Sequence, residues 1–128
     1  VIIHDPFLKN KKIKTINLIK GLKKADIISI HSSGLNQILG EKEFSLLKKG
    51  VILLNSSRGN VICEDTAYEF LKNKTVSGAW FDVFKEEPYK GKLANLSNVI
   101  LTPHISSYTE ETRIEMEYEA VENLKAFI

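Results

Sequence analysis

The chain has 128 residues, 43% of them hydrophobic, which is enough for one domain with a true core. Its 18 basic and 16 acidic residues leave a net charge of +2, which excludes a strong pull toward nucleic acid or an anionic membrane surface. No apolar run approaches the about 20 residues that a membrane-spanning helix needs.

The chain opens on Val1, Ile2 and Ile3, without Met and without a basic leader, so it reads as the middle of a longer polypeptide. Residues 1–3 are the first strand candidate, followed by Asp5 and Pro6. Lys9, Lys11, Lys12, Lys14, Lys20, Lys23 and Lys24 form a local basic cluster, expected as a solvated loop and helix face. Weak attraction for a phosphorylated ligand is its functional alternative. Ile16, Ile19 and Leu22 share one face of a first helix, and residues 27–30 form the next strand candidate. A helix over 41–49 starts acidic, turns Phe44 and Leu47 to one side and ends on two lysines. That charge order suits the helix dipole, with Gly50 as the stop. After a strand at 51–54, residues 64–73 repeat the design, with Ala67, Phe70 and Leu71 inward. Cys63, the only cysteine, excludes an internal disulfide and suits a reducing, cytoplasmic compartment. It is expected to pack rather than react. Strands follow at 76–83 and 99–101. A last helix starts from Thr109 as N-cap and sets Ile114, Tyr118, Val121 and Phe127 with Ile128 on one packed face.

The order β-α-β-α-β-α-β-β-α predicts an α/β fold, a doubly wound parallel sheet flanked by helices. The strand runs are continuous and β-branched, as in strands buried on both faces. Open parallel sheets bind ligands beyond the carboxyl ends of their strands. The residues just past these runs are Asp5, then His31 to Gly34, Asn55 to Gly59, Asp82 to Pro88, and Thr102 to His104. Nearly all the chemically capable side chains fall at this one edge, which points to a single site.

Asp5 could accept the two hydroxyls of a ribose, or simply form a turn before Pro6. No GxGxxG fingerprint is present among the seven glycines to decide between them. Arg58 could pair bidentately with a carboxylate, with Gly59 allowing close approach, or could bond loop carbonyls. Glu87 could support His104, the carboxylate favouring the imidazolium; a lone loop histidine is otherwise a surface residue. The three histidines lack metal-ligand spacing, so no metal is expected.

Three segments, Asn55-Ser56-Ser57-Arg58-Gly59-Asn60, Phe81-Asp82-Val83-Phe84-Lys85-Glu86-Glu87-Pro88 and Leu101-Thr102-Pro103-His104-Ile105-Ser106, stand in an order and spacing that resemble the D-isomer-specific 2-hydroxyacid dehydrogenases. The resemblance implies a partial Rossmann-like NAD-binding domain over 1–128, without the first strand, the glycine-rich loop or the separate substrate domain. It implies NAD as cofactor and hydride transfer to or from a D-2-hydroxy acid, 3-phosphoglycerate being one candidate. Arg58 would bind the substrate carboxylate, Glu87 would support the histidine (Glu86 only if the motif slips by one), and His104 would be the acid–base group. Asp82 would bond the nicotinamide carboxamide and Asp5 the ribose, while Ser32, Ser33, Ser56 and Ser57 would line the cofactor groove. The segment from His31 to Asn36 departs from the family pattern, which puts the adenine end in question. Family members are commonly homodimers. A non-enzymatic NAD sensor or corepressor of the same family is the competing class, although retention of Arg58, Glu87 and His104 together favours the enzyme. Alone, this chain is expected to bind NAD poorly and to show no turnover.

Overall fold

A computed structural model describes residues 1–9, 12–34 and 36–127. Lys11 of the basic cluster and Ile128 of the last apolar face lie outside the described residues. The elements are α1 (Leu18–Leu22), β1 (Ile27–Ile30), α2 (Glu41–Phe44), β2 (Val51–Asn55), α3 (Glu64–Lys72), β3 (Val76–Phe81), β4 (Val99–Leu101) and α4 (Glu110–Lys125). Short 3₁₀ turns cover Gly59–Val61 and Lys92–Asn95.

The four strands form one parallel sheet in the order β1-β2-β3-β4. This is the α/β, Rossmann-like arrangement expected, with each strand placed beside the last. α2 and α3 make the first two crossovers; a long loop with a 3₁₀ turn makes the third. Ile30 pairs with Asn55, Asn55 with Phe81 and Phe81 with Leu101, so the strands finish level. The loops that follow them therefore start side by side.

The core lies on one side of this sheet. Leu53, Val51, Val76 and Phe81 meet Phe44 of α2 and Ala67 and Leu71 of α3, all buried. In α1, Leu18 and Leu22 turn inward, one helical turn apart, whereas Ile19 is 41% exposed. The expected inward face of Ile16, Ile19 and Leu22 is thus rotated.

Further expectations are corrected, among them the helix over 41–49, of which only Glu41–Phe44 is helical. Residues 1–3 form no strand: Ile3 makes a single bridge with Thr15, and the Ile16 N–H donates to the Ile3 carbonyl at 2.8 Å. So short a run, without a neighbouring sheet strand, has little to offset the entropy of ordering it. Among the described residues the sheet is well covered on one face only, since Ile27, Ile52 and Ile100, which share the opposite face, are 60%, 39% and 64% exposed. α4 is well capped, its Thr112 N–H donating to Thr109 Oγ1, yet none of its residues is buried. Its apolar positions Ile114, Tyr118 and Val121 are exposed.

The start of α3 offers a stability test. Its N-cap is Cys63, whose side chain caps no backbone N–H; instead the Thr66 hydroxyl donates to Sγ at 3.2 Å. A serine oxygen accepts the free N–H groups of a first turn far better than a thiol sulfur does. Cys63→Ser is therefore expected to stabilise the fold by about 0.5–1 kcal/mol, read as a higher urea midpoint at unchanged slope. A lower midpoint would show that Cys63 is held by packing rather than by its cap position.

Candidate functional site

Asn55, the polar last residue of β2, builds the first wall. It is buried, its Nδ2 donates to the Arg58 carbonyl at 3.0 Å, and its Oδ1 accepts from both the Ser57 N–H and the Ser57 hydroxyl. This folds residues 55–58 into a tight turn that presents Arg58. One guanidinium N–H donates to the Ser57 carbonyl at 2.7 Å. The exposed guanidinium has further N–H donors in its planar fork for a ligand. Gly59 then lies against the next loop so closely that a Cβ there would stand 1.9 Å from the Phe84 carbonyl carbon.

The second wall is the loop after β3. Asp82 is fully buried, and its carboxylate accepts from the Thr102 hydroxyl at 2.5 Å, the Ile105 N–H at 2.9 Å and the Ser106 N–H at 2.8 Å. The Trp80 indole donates to the same Thr102 hydroxyl at 2.9 Å. Burial pushes the Asp82 carboxyl up, but the Thr102, Ile105 and Ser106 donors outweigh it and hold it below the ordinary 3.8. Two residues on, the Phe84 N–H donates to Glu87 Oε1 at 3.0 Å.

Between these anchors sits His104, with φ of 56°, in the left-handed region that costs a side chain with a Cβ about 1 kcal/mol or more. Asp82's grip on the two following amides holds that conformation. His104 Nδ1 lies 3.0 Å from Glu87 Oε2. A carboxylate can only accept, so Nδ1 carries the hydrogen and Nε2 is left for another partner. The bond from His104, then that from the Phe84 N–H, keeps the Glu87 carboxyl below its ordinary 4.5.

Arg58, Glu87 and His104 thus line one open cleft of about 290 Å³ at the carboxyl edge of the sheet, with Asn60 and Lys85 beside them. A paired histidine next to an arginine fork can exchange a proton with an oxygen whose neighbouring carboxylate the arginine holds. Among the described residues, no group of three or more His, Cys, Asp or Glu could hold a metal ion.

Residues 1–106 match the family model of the D-isomer-specific 2-hydroxyacid dehydrogenase NAD-binding domain. The chain belongs to this family. It is 43% identical over 110 residues to a glyoxylate reductase of Thermococcus litoralis, covering 83% of the chain and 33% of that protein. It is 34% identical over 134 residues to a D-3-phosphoglycerate dehydrogenase of Bacillus subtilis, covering 98% of the chain and 26% of the relative. A crystal structure of D-lactate dehydrogenase from Aquifex aeolicus, complexed with NAD and lactic acid, superposes with a TM-score of 0.79 at 29% identity. That match covers 94% of this chain and 44% of the other. The chain therefore spans about a third of the length of curated relatives such as the Thermococcus protein.

For a 2-hydroxyacid dehydrogenase NAD-binding domain the cofactor is NAD, and the residues present fit its reactive end: the cleft opens where Rossmann-like sheets bind nucleotides. The other residues expected at the cofactor are placed as follows. Ser57 is buried, with its N–H and hydroxyl both turned to Asn55. Ser32 accepts from the Gly34 N–H at 3.2 Å, Ser33 is exposed and Ser56 is half-buried. They sit on the loops after β1 and β2. Asp5 is exposed and accepts from the Phe7 N–H at 2.8 Å, the turn-forming arrangement, and no hydrogen bond among the described residues joins it to the cleft. Asp82 is buried, with its carboxylate oxygens engaged by Thr102, Ile105 and Ser106. Glu86 is exposed and not among the residues of the cleft, which leaves Glu87 as the partner of His104.

The sequence assigns Asn55 no role beyond its place at this edge, although the polar end of an otherwise apolar buried run is the signal of a turn organiser.

No described helix is long and apolar enough to cross a membrane.

The anchors make acid lability a testable property. A carboxyl depressed in the folded state contributes stability above its unfolded pKa and loses it as pH falls through its folded pKa. Asp82 and Glu87 both have that sign. The urea midpoint is expected to fall steeply between roughly pH 5 and pH 2, and less steeply in Asp82→Asn, which starts lower at neutral pH. Parallel acid profiles for the two proteins would remove Asp82 as an anchor.

Proposed function

We propose that this chain is the later part of the NAD-binding domain of an NAD-dependent D-2-hydroxyacid dehydrogenase. In it Arg58 binds the substrate carboxylate, His104 exchanges the proton of the C2 oxygen and Glu87 holds the imidazole. The observation that carries the proposal is the 3.0 Å His104–Glu87 pair facing the same cleft as the Arg58 fork. In oxidation His104 accepts the hydroxyl proton; in reduction its imidazolium returns a proton to the same oxygen. Arg58 offsets negative charge on that oxygen and fixes the acid's orientation. Bound NAD supplies the acceptor or donor of the hydride.

The open apolar face of the sheet and the unpacked α4 support the view that further polypeptide completes the domain, including a glycine-rich turn and a substrate domain. Relatives named as glyoxylate reductase and as D-3-phosphoglycerate dehydrogenase support small 2-oxo or 2-hydroxy acids, 3-phosphoglycerate among them, as substrate class. A homodimer, as in the family, and a cytoplasmic location, suited to the single cysteine, complete the proposal.

The test is NADH oxidation by the full-length polypeptide across glyoxylate, hydroxypyruvate, pyruvate and 3-phosphohydroxypyruvate. Turnover of at least one supports the proposal. NADH binding without turnover of any would instead favour a sensor.

A further inference from the structure

We infer that the Glu64 carboxylate is a positioning group for the Glu87–His104 pair, acting through the backbone of Lys85. Glu64 is the first residue of α3, and its Oε1 accepts the Lys85 N–H at 2.8 Å across 21 positions of sequence. The same Phe84–Lys85 peptide packs against Gly59 from the Arg58 turn. It is therefore held on two sides, by the β2 loop and by α3. Phe84 in turn donates its N–H to Glu87, and Glu87 holds His104. A continuous series of contacts thus runs from the rigid start of a packed helix to the working histidine.

Acids at a helix start are ordinarily explained by the dipole. The neighbouring Asp65 shows what such a residue does otherwise here: it pairs with Lys92 at 3.1 Å, both side chains well exposed. Glu64 differs because it reaches across to a loop amide, and a fixed loop is what keeps both oxygens of Glu87 engaged.

The inference rests on the proposed roles of Glu87 and His104, but its principal readout does not require activity. The Glu87 carboxyl is to be titrated by carbon-13 NMR in the wild-type protein and in Glu64→Ala, Glu64→Gln and Glu64→Asp. Facing Glu87, the His104 and Phe84 N–H groups lower its pKa and Asp82 raises it. If Glu64 holds the loop, Glu64→Ala weakens the two lowering bonds and the Glu87 midpoint moves up. If Glu64 acts only as a charge, removing it moves the midpoint down, because a like charge has gone. Glu64→Gln keeps an acceptor oxygen and is expected to titrate at or below the wild-type midpoint. Glu64→Asp keeps the charge at the helix start but falls one methylene short, so it moves the midpoint up. It carries the same test should Glu64→Ala fail to fold. In the full-length polypeptide, Glu64→Ala is expected to lose turnover roughly ten- to a hundredfold with NADH affinity unchanged, and Glu64→Gln to recover most of it. A Glu87 midpoint that stays or falls in both Glu64→Ala and Glu64→Asp, or rises as far in Glu64→Gln, overturns the inference. A wild-type protein inactive on every 2-oxo acid overturns the proposed activity instead, while the titration still decides Glu64.

Discussion

His104→Asn in the full-length polypeptide is expected to lower turnover of its 2-oxo acid by about 10²–10⁴-fold while NADH still binds with wild-type affinity. Asparagine is the informative replacement because His104 sits at φ 56°, a conformation that asparagine tolerates better than most residues with a Cβ. The turn after β4 should therefore keep its shape, and Asp82 should keep its bonds to the Ile105 and Ser106 amides. What is lost is the imidazole, a side chain that can both take and give a proton. Arg58 remains to orient the acid, so the loss is expected in kcat rather than in KM. Stopped-flow fluorescence of NADH binding alongside steady-state turnover separates the two quantities. Wild-type kcat in this variant would remove His104 from the chemistry; loss of NADH binding would make it a structural residue of the cofactor groove.

The parts legible in the sequence were those set by local composition. The runs at 27–30, 51–54 and 99–101 are apolar and β-branched, and each became a strand within a residue of where its pattern placed it. Strands running parallel bring their carboxyl ends to one edge by necessity, which is why residues dispersed from Arg58 to His104 could be assigned to one place. Cover was not legible. An apolar strand shows that both of its faces favour burial, but not which polypeptide provides the cover, and the described residues cover only one face well. The same reasoning applies to α4, whose spacing describes a face and not its partner. The bonds that Asp82 and Glu64 make are not legible in the sequence because they are non-local: Asp82 accepts from the Ser106 amide 24 positions away, and Glu64 from the Lys85 amide 21 away. An aspartate beside a ligand and an aspartate anchoring a ligand's loop look the same in sequence. Asp5 shows the reverse limit, since the turn that could be read from its place before Pro6 is the interaction it makes.

Gly59→Ala is expected to be among the most damaging single substitutions available to this chain, although Gly59 is not in the left-handed region. Space is the reason. An added Cβ would stand 1.9 Å from the Phe84 carbonyl carbon, 2.2 Å from its oxygen and 2.3 Å from the Lys85 nitrogen. These are backbone atoms, so no rotamer change can relieve the clash. Phe84 cannot simply withdraw, because it is buried and its ring stacks on Tyr89 at a centroid distance of 4.3 Å. One of the two loops must move as a unit, at a cost of about 3 kcal/mol, the upper part of the range for overpacked cores. That movement separates Arg58 from the loop carrying Glu87 and detaches the Lys85 amide from Glu64. Misplacement by about an ångström at a reacting centre costs on the order of a hundredfold, here expected in kcat/KM. Asn60→Ala, at the exposed neighbouring position, provides the control for the urea midpoint alone and should change stability by less than about 0.5 kcal/mol. Urea midpoints for both variants, with kcat/KM of Gly59→Ala in the full-length polypeptide, decide the matter. If Gly59→Ala unfolds at the wild-type midpoint, the turn after β2 and the loop after β3 do not meet backbone to backbone, and the common cleft of Arg58, Glu87 and His104 loses its physical basis.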